Sequence, residues 1–429
     1  MIDWKEYKLK DLVTFSQGIQ VPVEEQSNIR HSNMGRFVRI VDFTNPNEEP
    51  RFIKVKDSKY WVNKKDVVMI RYGSATAGKV VRGLEGYIAN NMFKVIPNKS
   101  ILNEEFLYYF LSQSSIYSYL MNSQSSSTMP AIKFSDFDNI KIKLPSLDIQ
   151  KFIVLKLNRL NDKIELNTQI NQTLEQIAQA LFKSWFVDFD PVRAKVQALS
   201  DGLSLEQAEL AAMQAISGKT PEELTALSQT QPDRYAELAE TAKAFPCEMV
   251  EVDGVEVPKG WEVKRIEEVI KKIPVGKKYS SKTAFSEGLV PILDQGRSGV
   301  IGYHNDEPGV KASIEDPIIV FANHTCYMRL ISYDFSAIQN VFAFKGKECD
   351  VFWVYLATLE KQEFVEYKGH FPDFLIKEII VPPKELTALF GKYVKESFSK
   401  IFINDRENSS LAKIRDLLLP KLLKGEFIR

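Results

Sequence analysis

The sequence predicts an α/β (α+β) protein in which two mixed α/β regions alternate with two long helices, as a pseudo-two-fold tandem repeat. Three observations predict this fold: a heptad seam of mostly apolar residues, the recurrence of that seam near the C-terminus, and short β-rich runs that precede each copy. Because a narrow apolar stripe cannot be buried by a lone helix, the two helices are expected to pair as an antiparallel coiled coil.

The first seam lies in residues 146–190, which we interpret as the first spacer helix. Its positions advance by alternating steps of four and three residues, the spacing of the buried stripe in a coiled coil. They carry Ile153, Leu157, Leu160, Ile164, Asn167, Asn171, Leu174, Ala178, Leu181 and Trp185. A helix of about 40 residues spans roughly 60 Å. Trp185 is expected to pack in the seam, with contact to a partner protein as the alternative.

The second seam lies in residues 383–429, the second spacer helix, and repeats both asparagines of the first. Asn404 and Asn408 stand in the places of Asn167 and Asn171, and the step from Asn167 to Asn404 defines the repeat offset. An asparagine in a seam destabilises the pair unless its amide finds a partner, and matched asparagines can fix the register. We therefore predict that these four residues set the register of the helix pair.

The alternative is that each helix packs only on its own globular region. Arg415 replaces an alanine of the first seam and is expected to reach solvent.

The first globular region (residues 1–145) and the second (residues 259–382) are predicted to be mixed α/β domains. In the first, residues 37–41, 66–71 and 87–89 have the β-branched and aromatic content of strands. Residues 104–120 place apolar side chains mostly on one helical face, so Phe106, Tyr109 and Phe110 are expected in the core rather than stacked on bases. In the second region, residues 317–321 stand in the place of 66–71.

Residues 191–258 are interpreted as an exposed acidic helical insertion and a linker. Residues 196–256 hold 3 Lys and Arg against 12 Asp and Glu, whereas residues 1–145 hold 20 against 15. A chain whose net charge is zero can therefore still present basic faces to a polyanion. Ser204 with Gln207 and Thr220 with Glu223 have the spacing of helix capping boxes.

Composition and motifs argue against several other classes of protein. The chain has no apolar run of the roughly 18 residues that a membrane-spanning helix needs. Its N-terminus is charged and its 3 cysteines lack CxxC spacing, which favours a reducing, cytoplasmic setting. The 4 histidines show no metal-ligand spacing. The Asn/Asp-Pro-Pro-aromatic motif of an adenine methyltransferase is absent, and Met213 occupies a glycine position of a phosphate-binding loop. We expect no metal site and no catalysis by this chain alone.

Several stretches resemble one known family. The segments LFKSWFVDFDP (181–191), LLLPKLLKGEF (417–427) and IRYG (70–73), the last followed by Gly78 and Lys79, resemble the specificity subunit of type I restriction–modification systems, as does the repeat itself. The resemblance implies that each globular region is a target-recognition domain that docks in the DNA major groove and reads one half of a split target. It implies that the helices set the spacing of the halves and bind two methyltransferase subunits, and that motor-nuclease subunits join for cleavage. S-adenosylmethionine, ATP and magnesium would then belong to partner subunits, with no membrane involved.

A DNA reader needs side chains that reach base edges and cations that contact phosphates. Arg71 and Arg297 suit guanine; Gln20, Gln124 and Gln295 suit adenine; Lys79, Lys277 and Lys278 suit phosphates. The further candidates in the same loops are Tyr72, Ser74, Thr76, Asn91, Ser126, Thr128, Tyr279, Asn323, His324 and Lys368. Each could instead simply solvate its loop. The rival function is a coiled-coil scaffold for proteins without sequence-specific DNA binding.

Overall fold

The computed structural model describes residues 4–45, 48–73, 75–123, 131–252, 254–296, 299–366 and 368–426. The chain divides into two compact units. Unit 1 comprises residues 1–166 and 407–429, and unit 2 comprises residues 167–406. Each unit therefore contains one globular region together with segments of both long helices.

The first globular region is built on two four-stranded sheets and a separate strand pair. Its strands are β1 (Lys5–Lys8), β2 (Val13–Gln17), β3 (Met34–Val38), β4 (Arg51–Lys54), β5 (Trp61–Val62), β6 (Val68–Ile70), β7 (Val80–Val81), β8 (Gly86–Ile88), β9 (Met92–Pro97) and β10 (Lys141–Leu144). The sheet orders are β2-β9-β6-β7 and β4-β3-β8-β5, and β1 pairs with β10. The predicted strands at 66–71 and 87–89 are confirmed within a residue or two.

The helices of this region are α1 (Ile40–Thr44), α2 (Glu104–Leu111) and α3 (Ser114–Asn122). The predicted strand at 37–41 is wrong at its end, because Asp42 accepts a hydrogen bond from the Arg39 backbone (2.7 Å) and starts α1. The single helix predicted over 104–120 is also wrong. It is interrupted at Gln113, whose backbone is extended (ψ 139°) and forms the N-cap of α3. The expected core residues of α2 are buried, as predicted.

The first long helix, α4, runs from Leu147 to Phe186. It ends before the predicted stop, because Phe189 takes a left-handed conformation (φ 58°) and Pro191 lies in the first turn of the next helix. Proline is well suited to that position, since the amide it lacks would have no partner there.

The acidic insertion folds as α5 (Asp190–Ser200), α6 (Leu205–Ser217), α7 (Pro221–Thr230) and α8 (Pro232–Ala244), followed by the hairpin β11 (Met249–Val252) and β12 (Val255–Pro258). Both predicted capping boxes form. The insertion is not merely exposed, because Met213, Leu238 and Phe245 are buried in the main core of unit 2. Lys195 is 1% exposed and donates to the carbonyls of Ala242 (2.9 Å) and Phe245 (2.7 Å) at the end of α8.

The second globular region repeats most of the topology of the first. Its strands are β13 (Glu262–Arg265), β14 (Ile270–Ile273), β15 (Lys278–Tyr279), β16 (Val290–Leu293), β17 (Val300–His304), β18 (Ile318–Ala322), β19 (Met328–Ile331), β20 (Ser336–Ile338), β21 (Val341–Gly346) and β22 (Glu378–Val381). Its helices are α9 (Ile266–Val269), α10 (Val351–Thr358) and α11 (Phe371–Leu375). The sheet β14-β21-β18-β19 and the pair β13-β22 correspond to β2-β9-β6-β7 and β1-β10. In the sheet β15-β20-β16-β17, strands β16, β17 and β20 correspond to β3, β4 and β8, but the edge strand differs. β15 runs parallel to β20, whereas β5 runs antiparallel to β8. The strand predicted at 317–321 is confirmed as β18.

The second long helix, α12, runs from Lys384 to Leu423 and pairs with α4 in each unit. In unit 2, Asn404 Nδ2 donates to Asn171 Oδ1 (2.8 Å), and the rings of Trp185 and Phe390 lie 5.6 Å apart. Later residues of α4 thus meet earlier residues of α12, which makes the pair antiparallel. In unit 1, Arg415 Nη1 donates to Asn161 Oδ1 (3.0 Å). The predicted fold class is confirmed. None of the described helices is long and apolar enough to cross a membrane.

Candidate nucleic-acid interface

Arg71 lies just after β6 in unit 1, where three loops meet. Its backbone amide donates to the Asn91 carbonyl (2.8 Å), and its Nη1 donates to Gln17 Oε1 (2.9 Å). The orientation of the Gln17 amide is fixed in turn, because Gln17 Nε2 donates to the Asn90 carbonyl. This chain of hydrogen bonds links the ends of β2 and β6 to the turn between β8 and β9.

Two aromatic rings flank the guanidinium group of Arg71. Its carbon Cζ lies 5.1 Å from the ring centroid of Tyr72 and 5.9 Å from that of Phe134. Phe134 is 38% exposed and stacks on Phe15, with 4.7 Å between centroids. Among the described residues no carboxylate oxygen lies within 4.0 Å of an Arg71 nitrogen. The positive charge of Arg71 is therefore held by neutral groups and stays available to an external acceptor.

The loop that follows Arg71 is closed by its own hydrogen bonds. Gly73 has φ 118°, which favours glycine, and Thr76 Oγ1 donates to the Tyr72 carbonyl (3.1 Å). The Gly78 amide donates back to the Ile70 carbonyl (2.9 Å). The loop thereby presents Lys79 as an exposed cation that, in the described part of the chain, has no carboxylate within 4.0 Å.

Gln20 and Asn91 complete the group in unit 1. Asn90 Nδ2 donates to Oε1 of the exposed Gln20 (3.3 Å). Asn91 Oδ1 is buried without a hydrogen-bond partner among the described residues. The backbone approaches closely here, since a Cβ on Gly18 would lie 2.1 Å from the Ala89 carbonyl oxygen. The structure thus brings Gln20, Arg71, Tyr72 and Asn91 together, with Thr76 and Lys79 on the adjoining loop.

Asn323 of unit 2 occupies the backbone position that Arg71 occupies in unit 1. The Asn323 amide donates to the Asn340 carbonyl (3.0 Å), as the Arg71 amide does to Asn91. The His370 amide donates to the Asn323 carbonyl (3.0 Å), as the amide of Ile132 does to that of Arg71 (3.0 Å). The two regions therefore share a backbone frame at this point and place different side chains on it.

The Asn323 side chain turns inward rather than outward. It is 8% exposed, and its Oδ1 accepts a hydrogen bond from the Phe371 amide (2.8 Å). A Cβ on Gly369 would lie 2.9 Å from Asn323 Nδ2, so only glycine fits beside it without a shift. Asn323 thus holds the loop before α11, while the next residue, His324, is only half-buried.

Gln295, His324 and Lys368 meet on neighbouring loops of unit 2. Gln295 Oε1 accepts from the His324 amide (2.9 Å), and His324 Nδ1 lies 2.8 Å from the Lys368 carbonyl. The Lys368 ammonium lies 3.4 Å from carboxylates of both Glu366 and Asp373. Its hydrogen bond to Asp373 is the main cause that raises the pKa of Lys368. This cation is therefore partly neutralised within the protein.

Lys277 and Tyr279 belong to a second cluster in unit 2. Tyr279 Oη donates to Asp306 Oδ2 (2.9 Å), and the Lys277 ammonium lies 2.8 Å from the same oxygen. The Tyr279 ring stacks on His304 with 4.1 Å between centroids. Hydrogen bonds from Lys277 and Tyr279 lower the pKa of Asp306, and burial lowers the pKa of His304. Tyr279 is 7% exposed, whereas Lys278 next to it is exposed.

The remaining candidates lie outside the described residues. They are Ser74, Gln124, Ser126, Thr128 and Arg297.

Comparisons with known proteins give the family. A family model described as the type I restriction modification DNA specificity domain matches residues 1–176. The HindI type I restriction enzyme specificity subunit of Haemophilus influenzae is 41% identical over 467 aligned positions, which cover 99% of this chain and 100% of the relative. The chain belongs to the type I restriction–modification specificity subunits. It is a DNA-recognition subunit, as the sequence predicts.

A more distant relative has the same description. The MjaIX type I restriction enzyme specificity subunit of Methanocaldococcus jannaschii is 25% identical over 80% of this chain and 75% of its own length. The crystal structure of a type I restriction–modification S subunit from M. genitalium is 16% identical, covers 98% of this chain and 96% of that one, and gives a TM-score of 0.49.

The helix asparagines of this specificity subunit differ in their surroundings. Asn171 accepts from Asn404 and donates Nδ2 to Asp405 Oδ1 (2.7 Å) in unit 2. Asn167 and Asn404 are almost fully buried, at 1% and 0% exposure, whereas Asn408 in unit 1 is half-buried. Their role in fixing the register stays a prediction. Trp185 is fully buried, so its expected role in packing is confirmed and a direct contact with a partner protein would need it to move.

Sequence reasoning missed several residues that build the two candidate sites. Gln17 and Phe134 contact Arg71 in unit 1, and Asn340 and Asp306 hold His324 and Lys277 in unit 2. Gln17 ends a strand directly before Gly18. A polar residue followed by a glycine at the end of a strand is the sequence pattern that could have identified it. The other three are brought to the site only by the tertiary fold.

Proposed function

We propose that this specificity subunit reads a bipartite DNA target, with the first globular region contacting one half-site and the second contacting the other. The observation that carries the proposal is the shared backbone frame, on which Arg71 stands in unit 1 and Asn323 stands in unit 2. One frame that carries different side chains suits two readers of different short sequences. The chain itself is non-catalytic in this proposal, and methyl transfer and cleavage belong to partner subunits in the cytoplasm.

The surface of the long helices supports two equivalent docking sites for methyltransferase subunits. Leu166 and Ile177 on α4 are 51% and 55% exposed, and Ile403 and Ile414 on α12 are 49% and 46% exposed. Leu166 and Ile414 belong to unit 1, and Ile177 and Ile403 belong to unit 2, so each unit has one such residue on each long helix. The second pair follows the first by the same repeat offset that relates Asn167 to Asn404. Exposed apolar residues that recur with the repeat suit two copies of one partner.

S-adenosylmethionine would be bound by the methyltransferase subunits, and ATP and magnesium by the motor-nuclease subunits that join for cleavage. DNA binding by the specificity subunit should weaken steeply with salt, because contacts between its lysines and the phosphates release counterions. Lys79 and Lys278 are the exposed lysines best placed for this among the described candidates.

The decisive experiment is to map adenine methylation across a genome after co-expression of this chain with its methyltransferase subunit. We expect a motif of two short half-sites around a fixed non-specific gap, which disappears when this chain is left out. Exchange of residues 17–128 for the corresponding segment of a relative with another target should change one half-site only. If the complex assembles but no split motif appears, or if the exchange alters both halves, the proposal is wrong.

A further inference from the structure

We propose that Gln17 positions Arg71 to read a guanine in the half-site of the first recognition domain. This inference rests on the proposed function and extends it, since it names a base, the residue that contacts the base and the residue that orients it. Gln17 touches no DNA in this proposal and acts through Arg71.

The hydrogen bonds leave one orientation for the Gln17 amide. Its Nε2 donates to the Asn90 carbonyl, so its Oε1 is turned toward Arg71 and accepts from Nη1 (2.9 Å). The backbone of Gln17 is fixed by its place at the end of β2, opposite Phe93 of β9. A long, flexible arginine side chain is thereby held in one direction before DNA arrives, which lowers the entropy that binding must overcome.

Arg71 keeps N–H groups that a guanine can use. Nη1 carries two N–H groups and donates only one of them to Gln17, and no described residue accepts from Nη2. Nε is buried and therefore closed to a ligand. One N–H of Nη1 and one of Nη2 can together donate to O6 and N7 of guanine in the major groove.

The neutral amide of Gln17 matters for the charge of Arg71 as much as for its position. A carboxylate in the place of Gln17 would hold Arg71 equally well but would neutralise its charge, as Asp306 does for Lys277 in unit 2. The amide fixes the guanidinium group and leaves its charge for the electronegative edge of the base. The guanidinium carbon also lies over the rings of Tyr72 and Phe134, 5.1 and 5.9 Å from their centroids, which favours a cation at this place.

The second recognition domain has no glutamine–arginine pair at the corresponding place. Ile273 of β14 pairs with Ala343 of β21, and the next residue, Pro274, takes the place that Gln17 has in unit 1. Proline has no side-chain acceptor. Asn323 stands in the place of Arg71 and is bound to the Phe371 amide. The inference therefore applies to one half-site and leaves the other as an internal control.

The test uses the assembled methyltransferase complex with the full chain, carrying Gln17→Met, Arg71→Met or both. Methylation rates are measured on duplexes with each of the four bases at every guanine position of the first half-site. We expect Gln17→Met, which keeps the length of the side chain, to lower the preference for guanine about tenfold at one position, equivalent to about 1.4 kcal/mol. Arg71→Met should remove that preference, and the double variant should match Arg71→Met, because Gln17 acts only through Arg71.

Gln26→Met is the matched control, since the Gln26 side chain also donates to a backbone carbonyl, that of Val21 (3.0 Å), in the same domain. It should leave the preference for guanine unchanged. Selectivity at the second half-site, measured on the same preparations, shows that each variant is folded and assembled.

Three results would overturn the inference while the proposed function stands. One is a split motif whose first half-site contains no guanine. Another is a Gln17→Met complex that slows equally on all four bases, which would make Arg71 a phosphate contact. The third is a further loss of selectivity when Gln17→Met is added to Arg71→Met, which would mean that Gln17 acts by another route. Absence of any split motif would instead refute the proposed function itself.

Discussion

Units 1 and 2 pack the same helix repeat with opposite chemistry. In unit 1, Asn161 of α4 is hydrogen-bonded to Arg415 of α12. The residues related to these two by the repeat offset are Phe398 and Ala178, which are 3% and 1% exposed in unit 2. One unit therefore holds a polar network at the place where the other holds apolar side chains.

The network of unit 1 is centred on the hydroxyl of Tyr109. It donates to Asn158 Oδ1 (2.6 Å) and accepts from Asn161 Nδ2 (2.8 Å), while Asn161 Oδ1 accepts from Arg415 (3.0 Å). Burial of this hydroxyl raises the pKa of Tyr109. Arg415 was expected to reach solvent, and its side chain is 31% exposed and pairs with the exposed Asp416 (2.9 Å). Its Nη1 donates to Asn161 at the same time, because the carbonyl of that amide needs a donor in this half-buried place.

Unit 2 keeps the hydrogen bonds of Asn171 but packs aromatic rings around the helix pair elsewhere. Trp185 is fully buried, with ring centroids 5.3 Å from those of Phe245 and Tyr393. Phe398 stacks on Phe352 with 4.9 Å between centroids. The comparison teaches that a heptad seam specifies where two helices meet, whereas the globular region beside them determines whether that contact is polar or apolar.

The largest expected effect is the loss of Trp185. Trp185→Ala should lower the free energy of unfolding of unit 2 by about 3–5 kcal/mol, because it removes a large side chain from a closed core. The change is measured by denaturant unfolding and by hydrogen exchange of α4 and α12. The control is Ile177→Ala on the same helix, where the side chain is 55% exposed and the change should stay within about 0.5 kcal/mol. If Trp185→Ala behaves like the control, the aromatic cluster is not what stabilises unit 2.

The Tyr109 hydroxyl should give the next largest effect. Tyr109→Phe leaves the amides of Asn158 and Asn161 without their shared partner, and we expect unit 1 to lose about 1–2 kcal/mol. Tyr108→Phe is the matched control, because among the described residues the Tyr108 hydroxyl has no hydrogen-bond partner. Equal effects of the two substitutions, measured by denaturant unfolding, would show that the polar network of unit 1 contributes nothing.

Much of this organisation could be predicted from sequence, and the limits have physical causes. The seam and its recurrence at a constant offset predict both long helices, because helical periodicity is local. The repeat also predicts β18 from the position of β6. The break at Gln113 was missed, because one extended residue leaves no signal in the periodicity of the apolar side chains. Gln17, Phe134 and Asp306 were missed because their partners lie far away in the chain.

The two candidate sites illustrate the same limit. Arg71 and Asn323 are both polar residues after a buried strand, and residue type alone predicts DNA contacts for both. The fold turns the Asn323 side chain toward Phe371 and leaves Arg71 beside neutral partners. The direction of a side chain depends on whether a neighbouring loop presents a donor, and this is set by tertiary contacts that composition and spacing do not contain.

The smallest expected effect is a loss of stability at acidic pH, which we expect in unit 2 and not in unit 1. Burial lowers the pKa of His304 in unit 2, so the folded state keeps this imidazole neutral where the unfolded chain binds a proton. Unit 2 should therefore lose stability as the pH falls from 7.5 to 5.5, through the ordinary histidine pKa of about 6.5. Asp306 faces His304, but its pKa is lowered from the ordinary carboxyl range, so it stays charged throughout. The histidine of unit 1, His31, is exposed.

Hydrogen exchange at the two pH values, corrected for intrinsic rates, can measure this difference between β16–β17 of unit 2 and β3–β4 of unit 1. Protection of β16–β17 should fall at pH 5.5, while that of β3–β4 should hold. In His304→Gln the amide oxygen can still accept from the Asp306 amide, which donates to His304 Nδ1 at 3.1 Å, but no proton is bound. The fall in protection should therefore disappear in this variant. If the fall in protection persists, the acid sensitivity of unit 2 comes from another group. Protonation of His304 then has no effect on the stability of unit 2.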